Sequence, residues 1–258
     1  GAIAMRGAGC TYNDIVDQDL DAKVDRTALR PLPAGTVTTK QAWVWLLAQC
    51  AVGLVVLLCL PRLAQIISLA SIPLVAAYPF MKRITWWPQV WLGMTFNWAV
   101  LVAYAAKTGE VTPALLILYL GLIFWTVGYD TIYACQDIED DAMIGVKSTA
   151  RRFGKRVKLG VGVCYVLFVS LSVFAFTKSG IMLVEPKKTT EQMFPLGLSP
   201  LGALLIVTPL TIHLLWQLIT FDQRNGASAL KVFKSNFWAA LLLIISMPLI
   251  QITMSYSL

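Results

Sequence analysis

Seven stretches of this 258-residue chain read as apolar from end to end, each near the length a helix needs to cross a bilayer. A hydrocarbon core of about 30 Å takes about 20 helical residues. Bounded by charge, proline and glycine, the runs cover approximately residues 41–60, 63–80, 88–106, 112–136, 158–177, 198–221 and 236–256. Residues 1–12 read as the tail of an earlier span. The fold class that follows is all-α, a polytopic transmembrane helical bundle. Composition points the same way. The chain is 57% hydrophobic and 14% charged, with a mean hydropathy of +0.69, whereas soluble domains carry roughly a quarter of their residues as charge.

A formal charge of +7 suggests nucleic acid only until the basic residues are located. They sit in short loops between apolar runs, which is the pattern of membrane orientation. Cys10, Cys50, Cys59, Cys135 and Cys164 are scattered without metal-ligand spacing, so neither zinc nor a disulfide framework is expected. Alternating the loops across the membrane puts 13–40, 81–87, 137–157 and 222–235 on one side and 61–62, 107–111 and 178–197 on the other. The first side receives most of the Lys and Arg and faces the cytosol or its organellar equivalent. It also receives nearly all the acids, which that rule scarcely constrains.

Those acids form two clusters. In Asn13-Asp14-Ile15-Val16-Asp17-Gln18-Asp19-Leu20-Asp21, the i, i+3, i+7 spacing puts Asp14, Asp17 and Asp21 on one helical face. In Asp137-Ile138-Glu139-Asp140-Asp141, Asp137 and Asp141 are one turn apart. Stacked carboxylates repel unless they share a cation. Oxygen-only ligands with no nearby His or Cys select a hard ion, magnesium first. Two such clusters at one membrane face suggest a diphosphate bridged by metal. Asn13 adds a neutral oxygen, and Arg30, Lys82, Arg83 and Lys147 are candidates for its phosphate oxygens. The competing account, solvated loop charges in ion pairs, suits either cluster alone better than both together.

At these residues the chain resembles the UbiA superfamily of membrane prenyltransferases. Asn13-Asp14-x-x-Asp17-x-x-x-Asp21 is similar to the family's first aspartate motif and Asp137-x-x-x-Asp141 to its second. Arg30-Pro31-Leu32, Tyr78-Pro79-Phe80-Met81-Lys82-Arg83, Pro88-Gln89, Tyr129-Asp130-Thr131-Ile132-Tyr133-Ala134 and Gly145-Val146-Lys147-Ser148-Thr149-Ala150 resemble the 4-hydroxybenzoate polyprenyltransferase branch. The resemblance implies nine helices around a cavity, so residues 1–258 are expected to form a single prenyltransferase domain lacking the family's first helix.

It also implies a magnesium-assisted transfer of a farnesyl or longer group from its diphosphate to a carbon of a phenolic acid. Asp14, Asp17, Asp21, Asp137 and Asp141 would be the metal ligands, and Tyr133, one turn before Asp137, would face the allylic cation. Tyr129, Phe96 and Trp98 are further aromatic candidates. Asn97 and Asp130, polar within apolar runs, are candidates for the acceptor or for helix–helix contact. His213 reads as structural. The partners implied are the two substrates and the lipid bilayer, with no nucleic acid. Cys135 stands where ubiquinone-pathway enzymes often have His, so the chain leans toward fungal meroterpenoid enzymes of an endomembrane. The alternative is the ubiquinone-pathway enzyme of the mitochondrial inner membrane. From other classes, a cation transporter and a silent membrane scaffold compete.

Overall fold

The structure, a computed structural model, describes residues 1–23, 25–178 and 200–255. The regular elements among the described residues are helices. They are α1 (Ala2–Asp21), α2 (Asp25–Ala28), α3 (Thr39–Leu58), α4 (Arg62–Ala70), α5 (Ile72–Ile84), α6 (Pro88–Thr108), α7 (Pro113–Ala134), α8 (Ile138–Met143), α9 (Thr149–Phe153), α10 (Val157–Lys178), α11 (Pro200–Thr220), α12 (Gly226–Lys234) and α13 (Asn236–Ser255), with a 3-10 turn at Gly154–Arg156. Beyond Lys178, the loop expected at 178–197 lies outside the described residues.

Local chemistry sets the ends. Thr38 opens α3 with a capping box. Its hydroxyl accepts from Gln41 N at 3.3 Å, and Gln41 Oε1 accepts from Thr38 N at 2.9 Å. Pro88 and Pro113 stand in the first turns of α6 and α7, where a missing N–H costs nothing. Gly109 ends α6 at φ +77°. The single span expected at 63–80 is two segments meeting at Ser71. Pro73 falls in the first turn of α5, and the hydroxyls of Ser68 and Ser71 donate to the carbonyls of Ala64 and Ser68, each at 2.7 Å.

Helix α7 is the hub. α6 and α10 pack along it and α12 covers its C-terminal end; α10 leads to α11 and α11 to α13. On the other flank α1 packs against α3 and α5, and α4 and α5 against α6. Ile132, Val161, Tyr165, Phe168, Leu210 and Leu214 fill the interior between α7, α10 and α11. In lipid, such helices associate by close contact rather than by escape from water. Gly93 shows this. A Cβ there would stand 3.0 Å from the Ile123 carbonyl oxygen of α7. Polar ties add to it: Tyr165 Oη donates to Gln217 Oε1 at 2.6 Å, Gln217 Nε2 donates to Ser235 Oγ at 3.0 Å, and His213 Nε2 lies 3.1 Å from the same hydroxyl. His213 is thus held in an interhelical network.

The outward faces are apolar. Val44, Leu58, Val166 and Ile219 are among the exposed side chains, as a lipid-facing surface requires. Among the described residues six stretches are long and apolar enough to cross a membrane: Thr39–Leu58, Arg62–Ile84, Pro113–Ala134, Thr149–Lys178, Pro200–Thr220 and Gly226–Ser246. The span expected at 88–106 is α6, a 21-residue helix of sufficient length. It is less apolar than the six because it carries Gln89, Thr95 and Asn97. The stretches read as loops at 137–157 and 222–235 instead fold into α8, α9, the 3-10 turn and α12. The C-terminal ends of α1, α5 and α7 come together at one end of the bundle with α8, α9 and α12.

Candidate active site

Helix α1 carries the first acidic motif without a break to Asp21. The two-turn spacing lets one cation serve two acids: Arg30 Nη1 donates to Asp14 Oδ1 at 3.0 Å and to Asp21 Oδ2 at 2.8 Å. The returning chain is fixed by Thr27, whose hydroxyl donates to the Asp21 carbonyl at 2.8 Å. Asp17 is fully buried and clamped by the last turn of α5. Lys82 Nζ donates to its Oδ2 at 2.5 Å, and Arg83 Nη2 to its Oδ1 at 3.1 Å and to the Val16 carbonyl at 3.0 Å. A carboxylate with no water needs such partners. Burial lifts the Asp14 carboxyl above its ordinary value. Arg30 opposes that shift, and Asp21 and Asp17 add to it by repulsion.

The second motif begins where α7 ends. Cys135 and Gln136 turn the chain, and Asp141 N then donates to the Asp137 carbonyl at 2.8 Å, so the two acids lie one helical turn apart in a new direction. Gly145, at φ +75°, sends the chain back. Val146 N donates to the Asp141 carbonyl at 2.9 Å and Lys147 N to the Lys82 carbonyl at 2.8 Å. Lys147 Nζ donates to the carbonyl of Ile84 at 3.0 Å. The loop after the second motif is therefore sewn to the helix end that clamps the first.

A cavity of about 280 Å³ opens between the motifs. Asn13, Asp21 and Arg30 line it from one side, Asp137, Asp141 and Lys147 from another, with Lys82 between; Tyr78, Gln89, Asp130 and Tyr133 form its inner wall. Among the described residues no three His, Cys, Asp or Glu converge as a metal-holding group. The donor chemistry nevertheless suits a hard cation and phosphate. The polar side chains at the cavity are carboxylates, hydroxyls, amides and fixed cations, with neither His nor Cys lining it.

Other sequence expectations meet different fates. Asp14, Asp17 and Arg83 stand behind the lining, in the ion pairs above. Asn97 does not line the cavity, and its Nδ2 donates to the Gly93 carbonyl at 2.8 Å, to Leu122 at 3.2 Å and to Thr126 Oγ1 at 2.8 Å. That is the helix–helix alternative. Trp98 ties α6 to the Ile67 carbonyl at 2.8 Å, Phe96 faces outward, and Tyr129 packs on Trp125 and Phe233. Phe233 of α12 also covers Tyr133, ring centroids 4.5 Å apart. Cys135 is buried in the core and donates to the Thr131 carbonyl at 3.3 Å, so its identity reports packing.

Arg151, one of the basic loop residues that follow the pattern of membrane orientation, braces the second motif. Its Nη1 donates to the Asp141 carbonyl at 3.1 Å and to that of Val146, and its guanidinium lies 5.3 Å from the Trp86 ring. Sequence offers no signal for that role beyond a charge in a basic run. Tyr78 and Gln89 stood in landmark stretches with no assigned task.

The model of the UbiA prenyltransferase family matches residues 1–242. Among curated relatives, "4-hydroxybenzoate polyprenyltransferase, mitochondrial" of Arabidopsis thaliana is 41% identical over 242 residues, covering 92% of this chain and 54% of the relative. The protein of that name from Aedes aegypti is 42% identical over 258 residues, 100% of this chain and 54% of its own length. The chain spans about half the length of these relatives. Two solved structures share the fold. One is the apo structure of a UbiA homolog from Aeropyrum pernix K1, with TM-score 0.68 and 23% identity, covering 95% of this chain and 86% of that one. The other, a structure of digeranylgeranylglyceryl phosphate synthase, has TM-score 0.61 at 20% identity, covering 93% of this chain and 79% of that one. Two acidic motifs facing one cavity, a bundle shared with solved homologues and a family match over most of the sequence agree, and the chain belongs to the UbiA prenyltransferase family.

Proposed function

We propose that this chain is an intramembrane aromatic prenyltransferase that transfers a polyprenyl group from its diphosphate to a ring carbon of 4-hydroxybenzoate or a close phenolic acid. One observation carries the reading. Acids from both motifs and the cations Arg30, Lys82 and Lys147 line the same cavity, at the end of an apolar bundle.

Magnesium would be held by Asp21, Asp137 and Asp141 at the cavity, with Asp14 and Asp17 joining only on leaving their ion pairs, and would supply Lewis-acid neutralisation of the diphosphate. Arg30 and Lys82, now on carboxylates, take phosphate oxygens as further partners, joined by Lys147. The donor C–O bond breaks with its electron pair leaving on the diphosphate, and these cations stabilise that charge. The face of Tyr133 stabilises the allylic cation by roughly 0.5–2 kcal/mol. The apolar surroundings keep out the water that would quench it. A ring carbon enriched by the phenol oxygen attacks, and its proton is lost. Asp130, on the inner wall, holds the acceptor.

The relatives' names favour 4-hydroxybenzoate as acceptor, a step toward ubiquinone, over the meroterpenoid lean. Cys135, the residue behind that lean, packs in the core. The same names, which place those relatives in mitochondria, favour a mitochondrial membrane over an endomembrane. The transporter reading loses ground because the acids gather at one end of the bundle.

The test uses membranes containing the full-length protein, with magnesium, diphosphates from geranyl to long polyprenyl, and several phenolic acids. Mass spectrometry should find a prenylated 4-hydroxybenzoate that disappears with EDTA and in both Asp21→Ala and Asp137→Ala. A folded protein that binds diphosphate without product on any pair would favour the silent scaffold.

A further inference from the structure

Gln89 stands in the first turn of α6 and is 5% exposed, yet it lines the cavity. Its Oε1 accepts from the backbone N–H of Thr149 at 3.0 Å. That contact fixes the amide's orientation, because an N–H can face only the oxygen. The NH2 group is left for the cavity side, where Asp130 lines the same wall and the register of α6 on α7, with Asn97 on Thr126 and Gly93 on Ile123, sets it beside Gln89. Thr149 is itself held on its second side. Thr131 Oγ1 donates to the Val127 carbonyl at 2.6 Å, so in its 2.5 Å contact with Thr149 Oγ1 the Thr149 hydroxyl is the donor. Gln89, Thr149 and Thr131 thus form one buried polar chain joining α6, α7 and α9, with Asp130 beside its cavity end.

The two ends of this chain lie in different parts of the site. Thr149 directly follows Lys147-Ser148, the segment sewn to Lys82 and Ile84 beside the acidic motifs. Asp130 belongs to the inner wall. We propose that Gln89 is a positioning residue for the prenyl-transfer reaction: by bridging Asp130 to the Lys147–Thr149 segment, it sets the acceptor-holding carboxyl in register with the diphosphate end of the cavity. This rests on the function proposed above. The bridge has one donor side and one acceptor side, which an amide provides and a carboxylate or thioether does not. Gln89→Glu keeps an oxygen for Thr149 N–H but puts a second carboxyl against Asp130. Gln89→Met removes the Thr149 bond and the NH2 group at similar volume.

The experiment uses the full chain in lipid nanodiscs. Infrared difference spectra identify the carboxyl band that Asp130→Asn removes, and that band is then followed in both Gln89 variants. In parallel, KM is measured for 4-hydroxybenzoate and for a polyprenyl diphosphate. The expected result is a displaced band, with KM for 4-hydroxybenzoate raised about tenfold and KM for the diphosphate changed by less than about twofold. Gln89→Glu folds even where Gln89→Met does not, because Thr149 N–H keeps its partner. An unmoved band overturns the proposal, and so do both KM values rising in step, which marks Gln89 as a support of the fold alone. A displaced band in a protein that transfers nothing even as wild type supports the positioning contact and overturns the enzymatic reading instead.

Discussion

Asp17 shows how much one residue's surroundings change its meaning. Spacing places it with Asp14 and Asp21 as a third equivalent carboxylate; in the fold it is wholly buried between Lys82 and Arg83. Removing one of its two cations, Lys82, leaves a carboxylate without water to Arg83 alone, and because both cations are part-exposed the loss is smaller than the about 3–5 kcal/mol of a fully buried pair broken outright. Lys82→Met should therefore lower the thermal unfolding midpoint, and Lys82→Met with Asp17→Asn should recover part of the loss. A double variant as unstable as the sum of the singles would deny the coupling. Asp14 offers a test by pH. Its carboxyl is raised above the ordinary 3.8 by burial, so on acidification the folded protein takes up this proton before the unfolded chain does. The Asp14 contribution to stability is then largest below 3.8 and is lost as pH rises through the elevated value. Unfolding midpoints of wild type relative to Asp14→Asn should decline over that window. A pH-independent difference would mean that Asp14 is not shifted.

At the scale of elements, the site depends on how short segments join long ones. The turn at Cys135-Gln136 ends α7 and lets α8 re-aim Asp137 and Asp141. Gly145 then reverses the chain so that Lys147 meets the end of α5. A side chain at φ +75° costs roughly 1–2 kcal/mol, more if branched at Cβ. Gly145→Val should destabilise the protein modestly while weakening magnesium–pyrophosphate binding by a larger factor, read by calorimetry on the purified protein. Equal losses in stability and binding, or binding left intact, would show that this loop does not organise the cavity. Helix α6 teaches a related lesson. Its polar residues have separate tasks, Asn97 joining α6 to α7 and Gln89 facing the cavity, although the sequence marks the first only as a polar residue in an apolar run and the second only as part of a landmark stretch.

For the whole molecule, both charge clusters belong to one end of the bundle. Single cysteines introduced at exposed Glu110 and exposed Lys155, in a background lacking the five native ones, should react with an impermeant maleimide from opposite sides of a sealed vesicle. Labelling from the same side would break the assigned topology. What the sequence by itself determined is what repeats or clusters along the chain. Apolar runs of spanning length dictate helices because lipid offers the backbone no partners, and local spacing puts Asp14, Asp17 and Asp21, or Asp137 and Asp141, on common faces. Helix breaks at Ser71 and Cys135 were harder to read, since each depends on a few hydrogen bonds within a run that stays apolar. Only the tertiary structure decided which polar residue meets which. Asp17 is clamped while Asp21 lines the cavity, Arg151 braces the second motif, Gln89 meets the backbone of Thr149, and Cys135 turns into the core. Those outcomes depend on residues up to 66 positions apart, as Arg83 and Asp17 are. Periodicity says which face a side chain occupies on its own helix, and only the packing of helices says what that face meets.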